Sequence, residues 1–211
     1  MKNNLFIAFE GIDGSGKSTQ VRLLAEKLQQ AGHKVFCTSE PTKSPIGLMI
    51  RDIFKHKFEA DHRTIAGLYV ADRLEHLLNK KDGILKKMED GYTVITDRYY
   101  FSSYAYQGTH MSLEWVIEAN SLSADLLRPD LNVFIDITPE LSAERITAGR
   151  NSIELYENIE NLRNVREKYL ESFELLRLKE NIFITNGNRK EEEIAKDIWD
   201  AVSQIRIPIK H

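Results

Sequence analysis

The sequence predicts an α/β protein in three layers, with about five parallel strands in the middle and helices on both faces. Two observations carry that prediction. Short apolar stretches of four to six residues alternate along the chain with longer helical patterns. Those short stretches are almost wholly apolar rather than alternating, as burial on both faces of a sheet requires. At 211 residues, against roughly 150 per domain, the chain is read as a single domain over residues 1–211. No repeat, low-complexity tract or Pro/Gly/Ser-rich linker divides it.

The strands are expected at Leu5–Glu10, Val35–Ser39, Tyr92–Thr96, Asn132–Ile137 and Ile182–Thr185, each rich in Ile, Val, Phe or Thr. Between them, Thr19–Ala31 places Val21, Leu24, Ala25 and Leu28 on one helical face, and Gly32 follows as a stop. Ala60–Met88 holds one or two helices, and Leu113–Leu127 another. Pro139 opens a helix that runs toward Gly149. Tyr156–Lys179 and Glu191–Ile205 complete the set.

The charge balance is 29 basic against 32 acidic residues, net -3. That argues against a non-specific nucleic-acid coat and against a polybasic tail, so no nucleic-acid partner is expected. The apolar run at the N-terminus ends at Glu10, too soon for a secretory h-region or a membrane helix, and no membrane partner is expected. The single cysteine, Cys37, permits no internal disulfide and suggests a reducing compartment. A soluble cytoplasmic protein is the expectation.

The strongest motif is Gly11-Ile12-Asp13-Gly14-Ser15-Gly16-Lys17-Ser18, followed by Thr19, which fits G-x-x-x-x-G-K-[ST]. It follows an expected strand and opens an expected helix, as a phosphate-binding loop must. Glycines let successive N–H groups turn inward around phosphate oxygens, and the helix N-terminus adds its positive dipole end. Lys17 can reach the β and γ phosphates, and the Ser18 hydroxyl can ligate Mg²⁺. The fold expected is therefore a P-loop NTPase, with a nucleoside triphosphate and Mg²⁺ as ligands.

The loop does not say what receives the phosphate. A guanine-reading switch should carry N-K-x-D after a buried strand. Asn79-Lys80-Lys81-Asp82 fits the letters but follows a helical pattern, and reads as a polar helix end. A kinase needs a second pocket with its own cations. Asp97-Arg98-Tyr99 closes the third strand, where ligands bind in open α/β sheets. Asp97 can hold Mg²⁺ through water, and Arg98 can bridge donor and acceptor phosphates. Tyr69 and Arg73, one helical turn apart, offer a ring and a guanidinium for a base. Arg145, Arg150, Arg163, Arg166 and Lys168 surround an interrupted helical pattern, and a lid is expected at about residues 149–160. Arg150, at the break after Gly149, is the expected transfer arginine. A kinase acting on a neutral hydroxyl would want a carboxylate base; for that reading Glu40 is the candidate, since Glu10 lies within the first strand. A nucleotide-binding switch without transfer activity is the remaining alternative.

Taken together the residues resemble the thymidylate kinase family. Phe9-Glu10-Gly11 leads into the loop, and Glu40-Pro41 and Tyr69-x-x-x-Arg73 follow. Asp97-Arg98-Tyr99-x-x-Ser102-Ser103-x-Ala105-Tyr106-Gln107-Gly108 comes next, then Arg128-Pro129-Asp130 and Asp136-x-Thr138-Pro139-Glu140. The resemblance implies transfer from ATP to dTMP with Mg²⁺, and a homodimer. It implies that Arg98 and Arg51 bind the acceptor phosphate. Asp13 would lie beside the sugar 3′-hydroxyl and the metal. Tyr69 would stack on thymine, with Arg73 hydrogen-bonded to it and Ser103 and Gln107 lining the base pocket. Tyr106 would fill the place of a ribose 2′-hydroxyl, and Arg145 would lie against adenine. The sequence departs from the family where Ser39 precedes Glu40-Pro41 and where Leu155 precedes Tyr156-Glu157, two places where relatives often carry arginine.

Overall fold

The computed structural model describes residues 4–149 and 158–205. Its sheet has five strands: β1 (Phe6–Glu10), β2 (Val35–Ser39), β3 (Thr93–Asp97), β4 (Leu131–Asp136) and β5 (Ile182–Asn186). All pair in parallel, in the order β2-β3-β1-β4-β5. Each strand end lies within one residue of its expected place.

The helices are α1 (Lys17–Gln30), α2 (Pro45–Phe54), α3 (His62–Leu78), α4 (Ile84–Glu89), α5 (Tyr100–Tyr106), α6 (Leu113–Ala119), α7 (Ser121–Leu126), α8 (Pro139–Gly149), α9 (Ile159–Leu176) and α10 (Glu191–Gln204). The expected helix over Ala60–Met88 is two, α3 and α4, and the Asn-Lys-Lys-Asp run lies between them, with Asn79 as the C-cap of α3. The expected Leu113–Leu127 helix is also two, broken at Asn120. That buried amide donates to Val116 O and accepts from Arg73, a tertiary bond worth more than a continuous helix. α9 starts where the Asn158 side chain accepts from Asn161 N. The expected helix start at Tyr156-Glu157, and Leu155, lie outside the described residues.

Side chains of β1 alternate between two cores. Ile7 and Phe9 pack with Leu24 and Leu28 of α1 and Ile194 and Ile198 of α10. Phe6 and Ala8 face the other way, into an aromatic cluster built on Tyr99, Phe101, Phe134, Tyr169 and Phe173. This gives the three layers that the apolar strands predicted. Among the described residues no helix is long and apolar enough to cross a membrane.

Candidate active site

The sheet order leaves β1 between β3 and β4, so the loops after these strands meet at one end. The register sets Phe9 beside Asp97, which brings the end of β3 against the start of the glycine loop. A cavity of about 590 Å³ opens there.

One wall is the loop of residues 11–16. Gly14 has φ +72, and a Cβ built there would lie 2.9 Å from Ser142 O, so α8 seals this position against any side chain. Ser142 Oγ donates to Asp13 O, and Arg145 donates to Gly14 O and Gly187 O, which docks α8 on the loop. Lys17 Nζ is folded over the loop and donates to Gly11 O at 2.9 Å and Ile12 O at 3.0 Å. Burial, and then the nearby Arg98, push its ammonium down to about 8. Ser18 Oγ donates to Asp97 Oδ2 at 2.7 Å, so the two residues expected to serve a metal touch. Their donors are all oxygen, which suits Mg²⁺. No cluster of three His, Cys, Asp or Glu side chains that could hold a metal occurs among the described residues, so further ligands would have to come from phosphate and water.

Arg98 makes the opposite wall. Its Nη2 donates to Asp13 Oδ1 at 2.5 Å, while Tyr106 Oη donates to Asp13 Oδ2 at 2.9 Å. Although burial opposes ionisation, Arg98 and Lys17 hold the Asp13 carboxyl below its ordinary range. The backbone of Arg98 is left-handed, φ +78, a conformation a side chain seldom adopts. Behind Arg98 lies Glu10, fully buried; burial raises it to about 7 against the pull of hydrogen bonds from Ser102, Tyr99 and Tyr169 and the Arg98 charge.

The third wall is the loop after β2. Arg51 of α2 donates to Pro41 O and Thr42 O. α3 pins this loop: Asp72 accepts from Thr42 N, Thr42 Oγ1 and Ser44 Oγ. Arg73 donates to Glu40 at 2.6 Å, and His76 Nδ1 lies 3.1 Å from Glu40. Tyr69, one turn before Arg73, lines the cavity with Arg51 and Gln107.

The structure thus gathers Asp13, Gly14, Gly16, Lys17, Ser18, Thr19, Arg51, Tyr69, Asp97, Arg98, Ser103, Tyr106, Gln107 and Arg145 around one cavity. Gly11, Ile12 and Ser15 form the buried floor of the same loop. Arg73 differs from expectation. It is fully buried behind the wall, and its five N–H groups are all taken, by Glu40, Ser103, Asn120 and Tyr99 O. It reaches a base only by giving up one of these partners. Arg150 lies outside the described residues, as does most of the expected lid. Arg166 is held by Asp136 through two hydrogen bonds, and Arg163 by Glu140. Glu40, the candidate base for a hydroxyl acceptor, is spoken for by Arg73 and His76. Sequence reasoning missed Glu10, Asp72, His76 and Tyr169. For Glu10 a signal existed: a single acid at the inward-facing end of an apolar strand, on the aromatic side of the sheet.

Comparison with known proteins agrees with this geometry. A family model described as thymidylate kinase matches residues 9–198. A probable thymidylate kinase from Caldivirga maquilingensis is 42% identical over 170 residues, 79% of each chain. One from Pyrococcus abyssi is 39% identical over 199 residues, 92% of this chain and 93% of its own. A thymidylate kinase from Caldicellulosiruptor saccharolyticus is 34% identical over 204 residues, 95% and 94% of the two chains. The glycine loop, the strand-end Asp97-Arg98 pair and the cavity between them thus sit in a chain that belongs to the thymidylate kinase family.

Proposed function

We propose that the protein is a thymidylate kinase, which moves the γ-phosphoryl group of Mg²⁺-bound ATP to the phosphate of dTMP and yields ADP and dTDP for dTTP synthesis. The observation that carries the substrate choice is the meeting of Tyr69, Ser103 and Gln107, a ring and two hydrogen-bonding side chains, with the cations Arg51 and Arg98 around one cavity. A ring to stack on and polar groups at its edge suit a nucleobase, and the two guanidiniums suit the phosphate attached to it.

In this reading Lys17 and Arg98 face each other across the transferring phosphate, and Arg150 completes the charge from the lid, about residues 149–160 of a single kinase domain. Two phosphates repel, so transfer depends on positioning and on cations rather than on a covalent intermediate. Arg51 and Arg98 hold the acceptor phosphate. Tyr69 stacks on the base, Ser103 and Gln107 read its edge, and Arg73 holds Ser103 in place. Asp13 lies by the sugar 3′-hydroxyl and Tyr106 excludes a 2′-hydroxyl. Arg145 lies against adenine. Ser18 and Asp97 would hold the metal, which when bound neutralises phosphate charge. No general base is needed, because the acceptor phosphate is already an anion. The free thiol of Cys37 fits a reducing, cytoplasmic setting. Exposed Leu48 and Met49 of α2, Leu78 of α3 and Leu122 of α7 favour a homodimer, which sedimentation can check.

A coupled assay across dTMP, dUMP, CMP, AMP and thymidine tests the reading. The expected result is turnover with dTMP, less with dUMP, and none with thymidine. Faster turnover of CMP or AMP would reject the base assignment, and phosphorylation of thymidine would reject the phosphate-acceptor assignment.

A further inference from the structure

We propose that Glu10 is a positioning residue for Arg98. Its carboxylate fixes the left-handed Arg98 backbone and turns the hydroxyls of Ser102 and Tyr169 so that their lone pairs face the guanidinium. This deepens the reading of Arg98 as the acceptor-phosphate arginine and rests on it.

Three features of the geometry support the role. The first is the place of Glu10 in β1. Alternation puts residue 10 on the side of Phe6 and Ala8, toward the aromatic core, where an apolar side chain is expected. A carboxyl group stands there instead, with no exposure to solvent. A buried charge is expensive unless it is paired and hydrogen-bonded, and the groups that pair with it lead to Arg98.

The second is the backbone. Arg98 N donates to Phe9 O at 2.9 Å and Thr96 Oγ1 donates to Arg98 O at 2.8 Å. Tyr99 N donates to Glu10 Oε1, also at 2.9 Å. These bonds hold the peptides on both sides of a residue at φ +78. Two of the three come from side chains, the Thr96 hydroxyl and the Glu10 carboxyl, and of these only Glu10 also reaches the groups around the guanidinium.

The third is the direction of the protons. Ser102 Oγ donates to Glu10 Oε2 at 2.6 Å and Tyr169 Oη donates to the same oxygen at 3.0 Å. Each hydroxyl has one proton to give. With both spent on the carboxylate, each oxygen can only accept from Arg98 Nη1, which lies 3.1 Å from Ser102 Oγ and 3.5 Å from Tyr169 Oη. The two hydroxyl oxygens are 2.8 Å apart, so a competing arrangement exists in which one donates to the other. A carboxylate that takes both protons removes it. An amide cannot do the same. Tyr99 N requires an acceptor at the first position, so glutamine would present its NH₂ to the two hydroxyls and reverse their polarity.

The test compares Glu10→Gln, Tyr169→Phe and Arg98→Ala with wild type, in steady-state kinetics for both substrates and in thermal unfolding, all at about pH 8, where the Glu10 carboxyl, raised to about 7, is ionised. For Glu10→Gln we expect the KM for dTMP to rise and kcat to fall, each about tenfold, with the KM for ATP within about twofold of wild type and Tm not lowered. Tyr169→Phe, with Glu10 in place, should shift the dTMP KM in the same direction and supplies the test if Glu10→Gln does not fold. Unchanged dTMP kinetics in both variants, beside a loss in Arg98→Ala, would overturn the role of Glu10 alone. A fall in Tm with the two KM values rising together would make Glu10 a plain structural residue and overturn it as well. Unchanged dTMP kinetics in Arg98→Ala would overturn the acceptor-arginine reading and this proposal with it.

Discussion

The Ser18 hydroxyl donates to Asp97 Oδ2 at 2.7 Å, and so ties the first turn of α1 to the last residue of β3. The two side chains lie far apart in sequence and come together only because β3 sits beside β1. Both offer hard oxygen at the mouth of the glycine loop, the donor type that suits a divalent cation which keeps most of its waters and takes few protein ligands.

We predict from this contact that Asp97→Asn and Ser18→Ala raise the Mg²⁺ concentration needed for half-maximal activity, by about tenfold or more. The fold should be unaffected, because the bond is solvent-exposed. A Mg²⁺ titration of each variant at saturating nucleotides is the measurement. Identical titration curves would remove both residues from the metal site.

A second prediction concerns the buried pair Glu40–Arg73. Their charged atoms are 2.6 Å apart, and neither side chain has appreciable exposure. Removing one charge strands the other in the core. Glu40→Gln should therefore lower the unfolding free energy by roughly 3–5 kcal/mol, a loss that urea denaturation can measure. A change below about 1 kcal/mol, the scale of an exposed pair, would mean that solvent reaches the guanidinium and that Arg73 is freer to meet a base than its five hydrogen bonds suggest.

How far the sequence could be read shows in these same residues. The strands and the glycine loop were legible because their signals are local: a short apolar run, a fixed spacing, a strand before and a helix after. α5 was not, because all seven residues from Tyr100 to Tyr106 are buried and leave no polar face to mark a helical period. α2 was missed although its signals were local: Ser44 before Pro45 is a helix start, and Gly47, Ile50 and Ile53 recur at helical spacing on its buried face. The Tyr69-to-Arg73 spacing was visible, but Glu40, which claims Arg73, is 33 residues away in the chain. Glu10 looked like the end of a strand because its partners come from α5 and α9, and no spacing rule connects them.

A third prediction follows from the raised Glu10. Its folded carboxyl holds a proton up to about 7, against an ordinary 4.5, through burial. The folded state therefore binds more protons than the unfolded state between these values, and stability is lost as pH rises through that window. The groups facing Glu10 are Arg98, Lys17, Arg73, Tyr104 and Tyr169. Lys17 is lowered to about 8 and stays largely protonated within the window; Arg98 and Arg73 are raised, as are Tyr104 and Tyr169. Glu10→Gln has no proton to lose. Relative to wild type it should gain about 2–3 kcal/mol between pH 4.5 and pH 8, read from denaturation curves across that range. Parallel pH profiles for the two proteins would show that Glu10 ionises normally.

The last prediction asks which arginine assists transfer. Gly14 cannot supply a basic side chain, since its φ is +72 and Ser142 O stands 2.9 Å from where a Cβ would be. The extra cation must then come from the far side of the cavity. Arg166 is engaged twice by Asp136, at 2.7 and 2.8 Å, and Arg163 is engaged by Glu140 at 2.8 Å. A guanidinium held by a bidentate carboxylate gives up geometry and charge to leave it. Arg163 is in an exposed pair, which is weaker, so it is freer than Arg166. Arg150 follows the last residue of α8 in the chain, and α8 is fastened to the glycine loop through Ser142 and Arg145. Arg150 is the candidate by its place in the sequence, directly after α8. Arg150→Ala should lower kcat by at least about tenfold, toward the range seen when an arginine finger is lost, with little change in the KM for dTMP. Arg166→Ala should act mainly by freeing Asp136. Compared at saturating substrates, a normal kcat in Arg150→Ala with a collapse in Arg166→Ala would move the role to α9. Three normal variants, with Arg163→Ala included, would leave Lys17, Arg98 and the metal to carry the transferring charge without help from a lid.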